Sequence, residues 1–439
     1  MLNETVFMAE IPWIKSGAYL VYAPLADMLF VANRQFAGDL KKAMKEGTGA
    51  RQVMETVSAI REQTVFPPMN EEMQFSCLTI LPTNRCNFNC EYCYAARSRE
   101  TSQQTISSED LTNCLNLFLK RLPNDVSSIA VTFYGGGEPL LAWDRIVETM
   151  HFMNDRFEGK KYYQLITNGS LLEDDIISCL KKNNMDLAVS FDILPDIQNR
   201  QRGHYDLVAG RLEKCIESGL VPQINAVITP DNVNRMTEMI DYASSKWSRI
   251  RFFHFEPVIS QELFPDPRCY HDFLSQFQES FFQTLERLQT GEKELTCSFY
   301  KKLSKTACRF CPVDFVITPY GEISSCACVS SPQIEDYHFY LYGKKGKSSV
   351  ELDTGKYKQL LNHNATEYAE CQECISRWNC AGSCLHRRRT MGLTYNHEFC
   401  RFMKNFTIRG LVHKLDSQYK KDYGKSLKEL LMVSGAEHE

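Results

Sequence analysis

Three cysteines on one short stretch, Cys86-x3-Cys90-x2-Cys93 in PTNRCNFNCEYCYAARS, offer the first chemistry in this sequence. Three thiolates on a single loop can ligate three irons of a four-iron cluster and leave the fourth iron open. A structural zinc site takes four ligands and keeps no vacancy, so three-plus-open is a statement about reactivity. A second group lies far downstream. Cys371-x2-Cys374-x5-Cys380-x3-Cys384 and then Cys400 are preceded by Cys311-x9-Gly321-x4-Cys326. The four closely spaced thiols suit a zinc knuckle, but that reading leaves Cys308, Cys311, Cys326 and Cys400 unused. The isolated Cys77, Cys114, Cys179, Cys215 and Cys269 read as small hydrophobes.

The elements that must position these thiols follow from patterning. Six β-rich runs (CLTILPT, IAVTFYG, YYQLITNG, DLAVSFD, PQINAVIT and RIRFFHFEPV) alternate with helix-length segments, which argues for an α/β fold with a parallel sheet. Six units fall short of the eight of a full TIM barrel. The first thiol group directly follows the first strand, at the carboxyl end where such folds place their sites. Ahead of the barrel, residues 1–70 read as two strands (AYLVYAP, MLFVAN) and two helices separated by GTGA. The segment YHDFLSQFQESFFQTLERLQ predicts a long amphipathic helix that closes the barrel region. Beyond residue 296 periodicity fades and cysteine, glycine and loop residues take over. From about 405 a basic, helix-prone tail reads as a solvated face.

Length and composition bound the function. A chain of 439 residues suggests about three domains. With 43% hydrophobic and 24% charged residues and a net charge of −4, no overall nucleic-acid-binding surface is expected. No apolar run approaches a membrane span and the start lacks a signal-peptide pattern, so a cytoplasmic location is expected. In a reducing compartment, 18 cysteines call for metal, catalysis or burial rather than disulfides.

The first cysteine loop, including the aromatic Tyr92 ahead of its last cysteine, resembles the signature of the radical S-adenosylmethionine (radical SAM) superfamily. The resemblance implies that the open iron of a [4Fe-4S] cluster on Cys86, Cys90 and Cys93 chelates S-adenosylmethionine (SAM), whose reductive cleavage yields a 5′-deoxyadenosyl radical. It also implies a loop after the second strand that meets the SAM amino group, here FYGGGEP with Gly136, Gly137, Glu138 and Pro139. Thr167–Gly169 ends the third strand. Ser190-x-Asp192 ends the fourth, as in the family's ribose-contacting Ser-x-Asp. The family usually continues with Gly-Pro and then a His-Asp pair before an arginine, where this chain has Ile193-Leu194 and Gln198-Asn199-Arg200. Arg200, Arg202 and Arg211 therefore all remain open as the SAM carboxylate arginine.

The second group resembles the SPASM domain, a C-terminal extension of some radical SAM enzymes that binds two auxiliary [4Fe-4S] clusters. By resemblance, Cys308, Cys311, Cys326 and Cys384 hold one, and Cys371, Cys374, Cys380 and Cys400 the other. Cys297 or Cys328 could stand in for Cys308. The whole expectation is a partial (β/α)6 TIM-like barrel over 75–295, with a small winged-helix-like peptide-recognition domain over 1–70. A loop-rich SPASM domain over 296–404 and a helical tail over 405–439 complete it.

SPASM enzymes typically act on peptides or proteins. Two activities follow: maturation of a ribosomally synthesised peptide (RiPP) by a thioether or carbon–carbon crosslink, or anaerobic sulfatase maturation to formylglycine. Sulfatase maturases begin almost at the cluster motif and carry an aspartate after the cysteine matching Cys326. This chain has Ala327 there and some 70 residues before the barrel, which favours the peptide crosslinker. Its expected partners are a precursor peptide, whose leader adds as a strand to a sheet edge, and a flavodoxin or ferredoxin reductant. The sequence singles out no general base. A non-catalytic zinc scaffold for protein contacts is the alternative of another class.

Overall fold

The computed structural model describes residues 5–14, 17–68, 72–95, 103–288, 292–346 and 349–433. An N-terminal antiparallel sheet comprises β1 (Phe7–Glu10), β2 (Tyr19–Ala23) and β3 (Met28–Ala32) in that order. Helices Arg34–Glu46 and Arg51–Gln63 follow it. The Asn33 side chain caps the first by accepting from Phe36 N at 2.8 Å. Leu40, Ala43, Val53, Val57 and Ile60 cover one face of the sheet through Val21 and Ala23. The other face, with Leu20 and Tyr22, packs on Ile375 and Trp378 of the cysteine-rich region and on Leu411 and Val412 near the C-terminus. Tyr22 seals that seam by donating to Asn379 Oδ1 at 2.9 Å. The two expected strands are β2 and β3. The additional β1 is four residues long, too short for its alternation to register.

The six expected parallel strands all form: β4 (Cys77–Ile80), β5 (Ser128–Phe133), β6 (Lys160–Thr167), β7 (Asp186–Ser190), β8 (Gln223–Ile228) and β9 (Phe252–Pro257). Each pairs with the next in parallel register. In β5, Ile129, Val131 and Phe133 alternate inward, as a strand covered by crossover helices requires. The crossovers include helices Ser108–Lys120, Trp143–Arg156, Asp174–Lys182, Tyr205–Glu217 and Met236–Lys246.

The sheet is wider than the sequence suggests. β10 (Glu294–Thr296) adds a seventh parallel strand beside β9. On the opposite side, β11 (Phe315–Ile317) pairs in parallel with β4. β12 (Ile323–Ser324), β13 (Leu341–Lys345) and β14 (Val350–Leu352) continue it antiparallel. One eleven-stranded sheet thus runs from the barrel into the cysteine-rich region. These added strands span two to five residues, below the length at which periodicity declares itself.

The helix Pro267–Leu288 matches the expected amphipathic segment. Its Phe277, Phe281 and Phe282 pack against Phe402 and Phe406 of a long C-terminal helix, Leu385–Tyr423, which is broken at Gly392. The basic tail is therefore the second half of a helix that starts at Cys384. Its face with Phe406, Leu411, Val412 and His413 is buried rather than solvated. Among the described residues no helix is long and apolar enough to cross a membrane.

Candidate active site

The loop after β4 is stitched at both ends before it reaches the first thiols. Leu81 N donates to Ile317 O at 2.9 Å, and Asn84 exchanges two hydrogen bonds with the backbone of Gln104. Glu138 N donates to Arg85 O at 2.7 Å, tying the glycine loop after β5 to the residue before Cys86. That approach is possible only without side chains. A Cβ on Gly137 would lie 1.9 Å from Arg85 O, and one on Gly136, at φ +75°, would lie 2.8 Å from Ser330 Cβ. Cys86, Cys90 and Cys93 are half-buried on this loop, and the charges of Cys86 and Cys93 are felt at Cys90. Burial pushes the Cys90 thiol pKa up, against the pull of Arg202.

Behind the loop lies a polar triad with a buried carboxylate, Asp192. The Tyr92 hydroxyl donates to Asp192 Oδ2 at 2.7 Å and accepts from Arg202 Nη1 at 2.8 Å. Asp192 Oδ1 accepts from Val227 N at 3.1 Å. Burial raises the Asp192 pKa, while Arg202 and Tyr92 act to keep it ionised. The Arg202 Nε is buried without a partner. Of the three arginines left open, Arg200 pairs with Asp231 at 3.3 Å and Arg211 with Glu173. Arg202 alone of the three joins the cysteine loop.

Two of the expected site residues have protein partners. Asp192 is held by Tyr92 and Val227. Ser190, half-buried at the end of β7, takes no side-chain partner among the described residues. Glu138, 2% exposed, accepts from Thr167 Oγ1 at 2.6 Å, Asn168 N at 2.7 Å and Leu140 N at 3.1 Å. Its carboxylate braces the loop that carries Gly136 and Gly137. Asn87 joins the same network through Ser170 at 2.9 Å and Asn168 at 2.9 Å. Sequence reasoning passed over Asn87, although it lies within the cysteine motif. The departures after Asp192 are accommodated in place. Gln198 accepts from Asp192 N at 2.8 Å, and buried Ile193 takes φ +67°, where the family carries glycine.

Downstream, Cys371, Cys374, Cys380 and Cys400 gather around one another, each within electrostatic reach of Cys380. Cys311, Cys326 and Cys384 line one pocket. The expected Cys308 is elsewhere: its thiol points to Pro67 O at 3.5 Å, inside the seam that seats the N-terminal sheet. Arg387, 2% exposed, lies between the two groups, within reach of Cys380, Cys384 and Cys400. It donates to Ser383 and Asn396 and stacks on Phe399, and its Nε lacks a partner. The turn Cys326-Ala327-Cys328 rests against the glycine loop, with Ala327 O 3.6 Å from a Cβ position on Gly135. Tyr94 and Tyr134, with hydroxyls 3.5 Å apart, sit beside both Cys93 and Cys328.

The donor sets fit iron–sulfur clusters. Among the described residues no three His, Cys, Asp or Glu side chains converge as a single metal ion requires. Thiolates on a four-iron cube instead hold separate corners, farther apart. A buried guanidinium beside three thiols and no carboxylate also suits anionic thiolate clusters.

Comparison with known proteins agrees. Residues 80–243 match the radical SAM superfamily. The radical SAM cyclopropyl synthase TigE of Paramaledivibacter caminithermalis is 29% identical over 130 residues, 27% of each chain. A probable GTP 3',8-cyclase of Methanococcus aeolicus is 28% identical over 43% of this chain and 62% of its own. The chain thus spans between about a quarter and three-fifths of these relatives. A cysteine-type anaerobic sulfatase-maturating enzyme of Clostridium novyi is 21% identical over 74% of this chain and 92% of its own. In fold, anSMEcpe with bound AdoMet and Kp18Cys peptide superposes with a TM-score of 0.61 at 17% identity, covering 77% of this chain and 98% of that one. SuiB of Streptococcus suis gives 0.51 at 14%, covering 89% and 97%. Residues 80–243 are therefore a radical SAM domain, set in a fold shared with anSMEcpe and SuiB.

Proposed function

We propose that this chain is a radical SAM maturase that abstracts hydrogen from a ribosomally synthesised precursor peptide to install a thioether or carbon–carbon crosslink. A cluster held by Cys86, Cys90 and Cys93 would supply reductive cleavage of SAM and its deoxyadenosyl radical. The protein's own part is positional. The loop with Gly136 and Gly137 is read as meeting the SAM amino group, and Arg202, the one of the three arginines bonded to the cysteine loop, as serving its carboxylate. Tyr92 and Asp192 hold that arginine in place, and Ser190 keeps a hydroxyl for the ribose. Cys371, Cys374, Cys380 and Cys400 are read as ligands of one auxiliary cluster, with Cys311, Cys326 and Cys384 as ligands of another.

The observation that carries this reading is the convergence of the cysteine loop, the glycine loop and the Cys326-Ala327-Cys328 turn at the carboxyl end of β4 and β5. The N-terminal sheet, with β1 and β3 at its edges, supports residues 1–70 as the leader-binding part by strand addition. A flavodoxin or ferredoxin supplies electrons, and the reaction runs in the cytoplasm. The test is anaerobic reconstitution with SAM, reductant and a candidate precursor peptide, starting with any short peptide encoded beside the gene. Release of 5′-deoxyadenosine with a product two hydrogens lighter is expected; no 5′-deoxyadenosine even with the right peptide would sink the reading.

Sulfatase maturation is the second reading, favoured by the nearly full-length similarity to the Clostridium novyi enzyme. Ala327, which has no base to offer, argues against it. Formylglycine formed on a sulfatase peptide would decide for it. A colourless chain containing zinc and no iron would instead support a scaffold.

A further inference from the structure

We propose that His254, held by Glu256, is the general base of this site, the group that takes a proton from the peptide as its radical closes on a neighbouring side chain. The inference rests on the reading of this chain as a peptide maturase and names the proton acceptor that the sequence leaves open. Strand register places the pair. The sequential strand order with right-handed crossovers puts the helices on one face of the sheet. Along β9, Phe253 and Phe255 are fully buried on that side, and His254 and Glu256 alternate with them on the opposite face. Ser190, Asn225, His254 and Thr296 pair in turn across β7, β8, β9 and β10, so their side chains form one row there. Ser190 is the hydroxyl read as meeting the SAM ribose. Two strand spacings, about 10 Å, separate it from His254 and leave room for a peptide segment between them. Glu256 pairs with Val227, whose N donates to Asp192 Oδ1 at 3.1 Å, so the pair stands one strand from the Tyr92–Asp192–Arg202 triad.

The contacts around the ring assign its proton. His254 Nε2 lies 3.1 Å from Glu256 Oε2. That oxygen also accepts from Ser298 N at 2.9 Å, which fixes the carboxylate from a third segment. A carboxylate only accepts, so Nε2 carries the hydrogen and Nδ1 keeps the lone pair. Nδ1 has no hydrogen-bond partner among the described residues. A pair that only tied β9 to Ser298 would have no use for that unpartnered acceptor, whereas a base oriented by a third group requires it. The side chains of His254 and Glu256 are 18% and 30% exposed, so the pair borders the open side of the sheet.

The step balances for a thioether closure. One peptide hydrogen leaves as an atom, from carbon to the deoxyadenosyl radical. The S–H bond breaks with its pair left on sulfur, and its proton goes to His254 Nδ1, where Glu256 faces the imidazolium. The sulfur pair and the carbon radical form the new C–S bond with one electron left over, whose acceptor is an oxidised iron–sulfur cluster.

The test uses the full chain, reconstituted anaerobically with SAM, reductant and the synthetic candidate peptide that gives product with the natural chain, made from deuterated amino acids. Deuterium reaching 5′-deoxyadenosine reports hydrogen abstraction, and the peptide mass reports closure. Equilibrium dialysis with SAM checks that each variant is folded. His254→Gln is expected to pass deuterium as the natural chain does while product falls about 10²–10⁴-fold. His254→Ala should regain product when imidazole is added. In Glu256→Gln the amide can donate to Nε2 and turn the hydrogen onto Nδ1, so product per 5′-deoxyadenosine should fall there too. That variant carries the test if His254→Gln does not bind SAM. The natural yield of product per 5′-deoxyadenosine in either variant overturns the assignment. So does loss of deuterium transfer together with product in a variant that binds SAM. A natural chain that releases no 5′-deoxyadenosine with any candidate peptide instead fails the maturase reading itself.

Discussion

Arg202 reaches Tyr92 through one hydrogen bond, Nη1 to hydroxyl at 2.8 Å, and that bond links a charge on one segment to an aromatic inside the cysteine motif. The same hydroxyl donates to Asp192, so removing it disturbs both ions. Tyr92→Phe is expected to cost about 1–3 kcal/mol of stability, the range for a buried polar group left unsatisfied. Arg202→Gln removes the hydrogen bond to Tyr92 and the cation that favours ionised Asp192, and is expected to cost about 1–3 kcal/mol. SAM affinity should fall in both, more in Arg202→Gln. Denaturant titration and equilibrium dialysis with SAM check both effects.

The glycine loop makes a graded prediction. Gly137→Ala drives a Cβ into Arg85 O and should abolish SAM binding while the rest of the chain folds. Gly136→Ala meets Ser330 Cβ and a left-handed backbone, so a loss of at least ~1–2 kcal/mol is expected. Adding Ser330→Gly should return the steric share of that loss and none of the backbone share. Gly210→Ala, in open space on the helix Tyr205–Glu217, should be neutral or stabilise by up to about 1 kcal/mol. Thermal denaturation of the four chains orders them.

Arg387 is a buried cation within electrostatic reach of Cys380, Cys384 and Cys400, thiols that the proposed reading assigns to two auxiliary clusters. Arg387→Met is therefore expected to make the auxiliary reduction potentials more negative, because the reduced clusters carry more negative charge. Arg387→Lys should lie between the Met variant and the natural chain. A redox titration followed by electron paramagnetic resonance reads this directly; equal potentials in all three chains would refute it.

Buried His413 gives the stability a pH dependence. Burial lowers its pKa from 6.5 to about 4, and Tyr300 is 2.9 Å from its Nδ1. The folded chain thus holds the neutral ring. The contribution is fully present above about pH 6.5 and is lost as pH falls toward 4. Roughly 3 kcal/mol is at stake over that window. His413→Gln should flatten this part of the urea-midpoint profile between about pH 7 and 4.5.

Much of this molecule was legible because its chemistry is local in sequence. The thiol spacings, the glycine run and the six strands of β4–β9 each declare themselves within a dozen residues. Cys371, Cys374 and Cys380 are close in the chain, and they stay close in space. What was hidden depends on partners far away. Nothing near Cys308 says that Pro67 claims its thiol, and nothing near Arg202 distinguishes it from Arg200 until Asp231 takes the latter. Nothing near Glu138 says that Thr167 and Asn168, a strand away, donate to its carboxylate. β11 to β14 escaped because two to five residues carry no period.

The pairing of Leu78 with Phe315 has a consequence for how the chain is made. β4, which delivers the cysteine loop, gains its second neighbour only from a strand near the far end of the chain. During synthesis the barrel half emerges first, with β4 as a bare edge and Leu81 N still lacking Ile317 O. Such a long-range closure is slow and leaves the half-made sheet open to mispairing. The loop is therefore locked only after the cysteine-rich region has been translated. A chain truncated before β11 would expose an unpaired strand at the base of the cysteine loop.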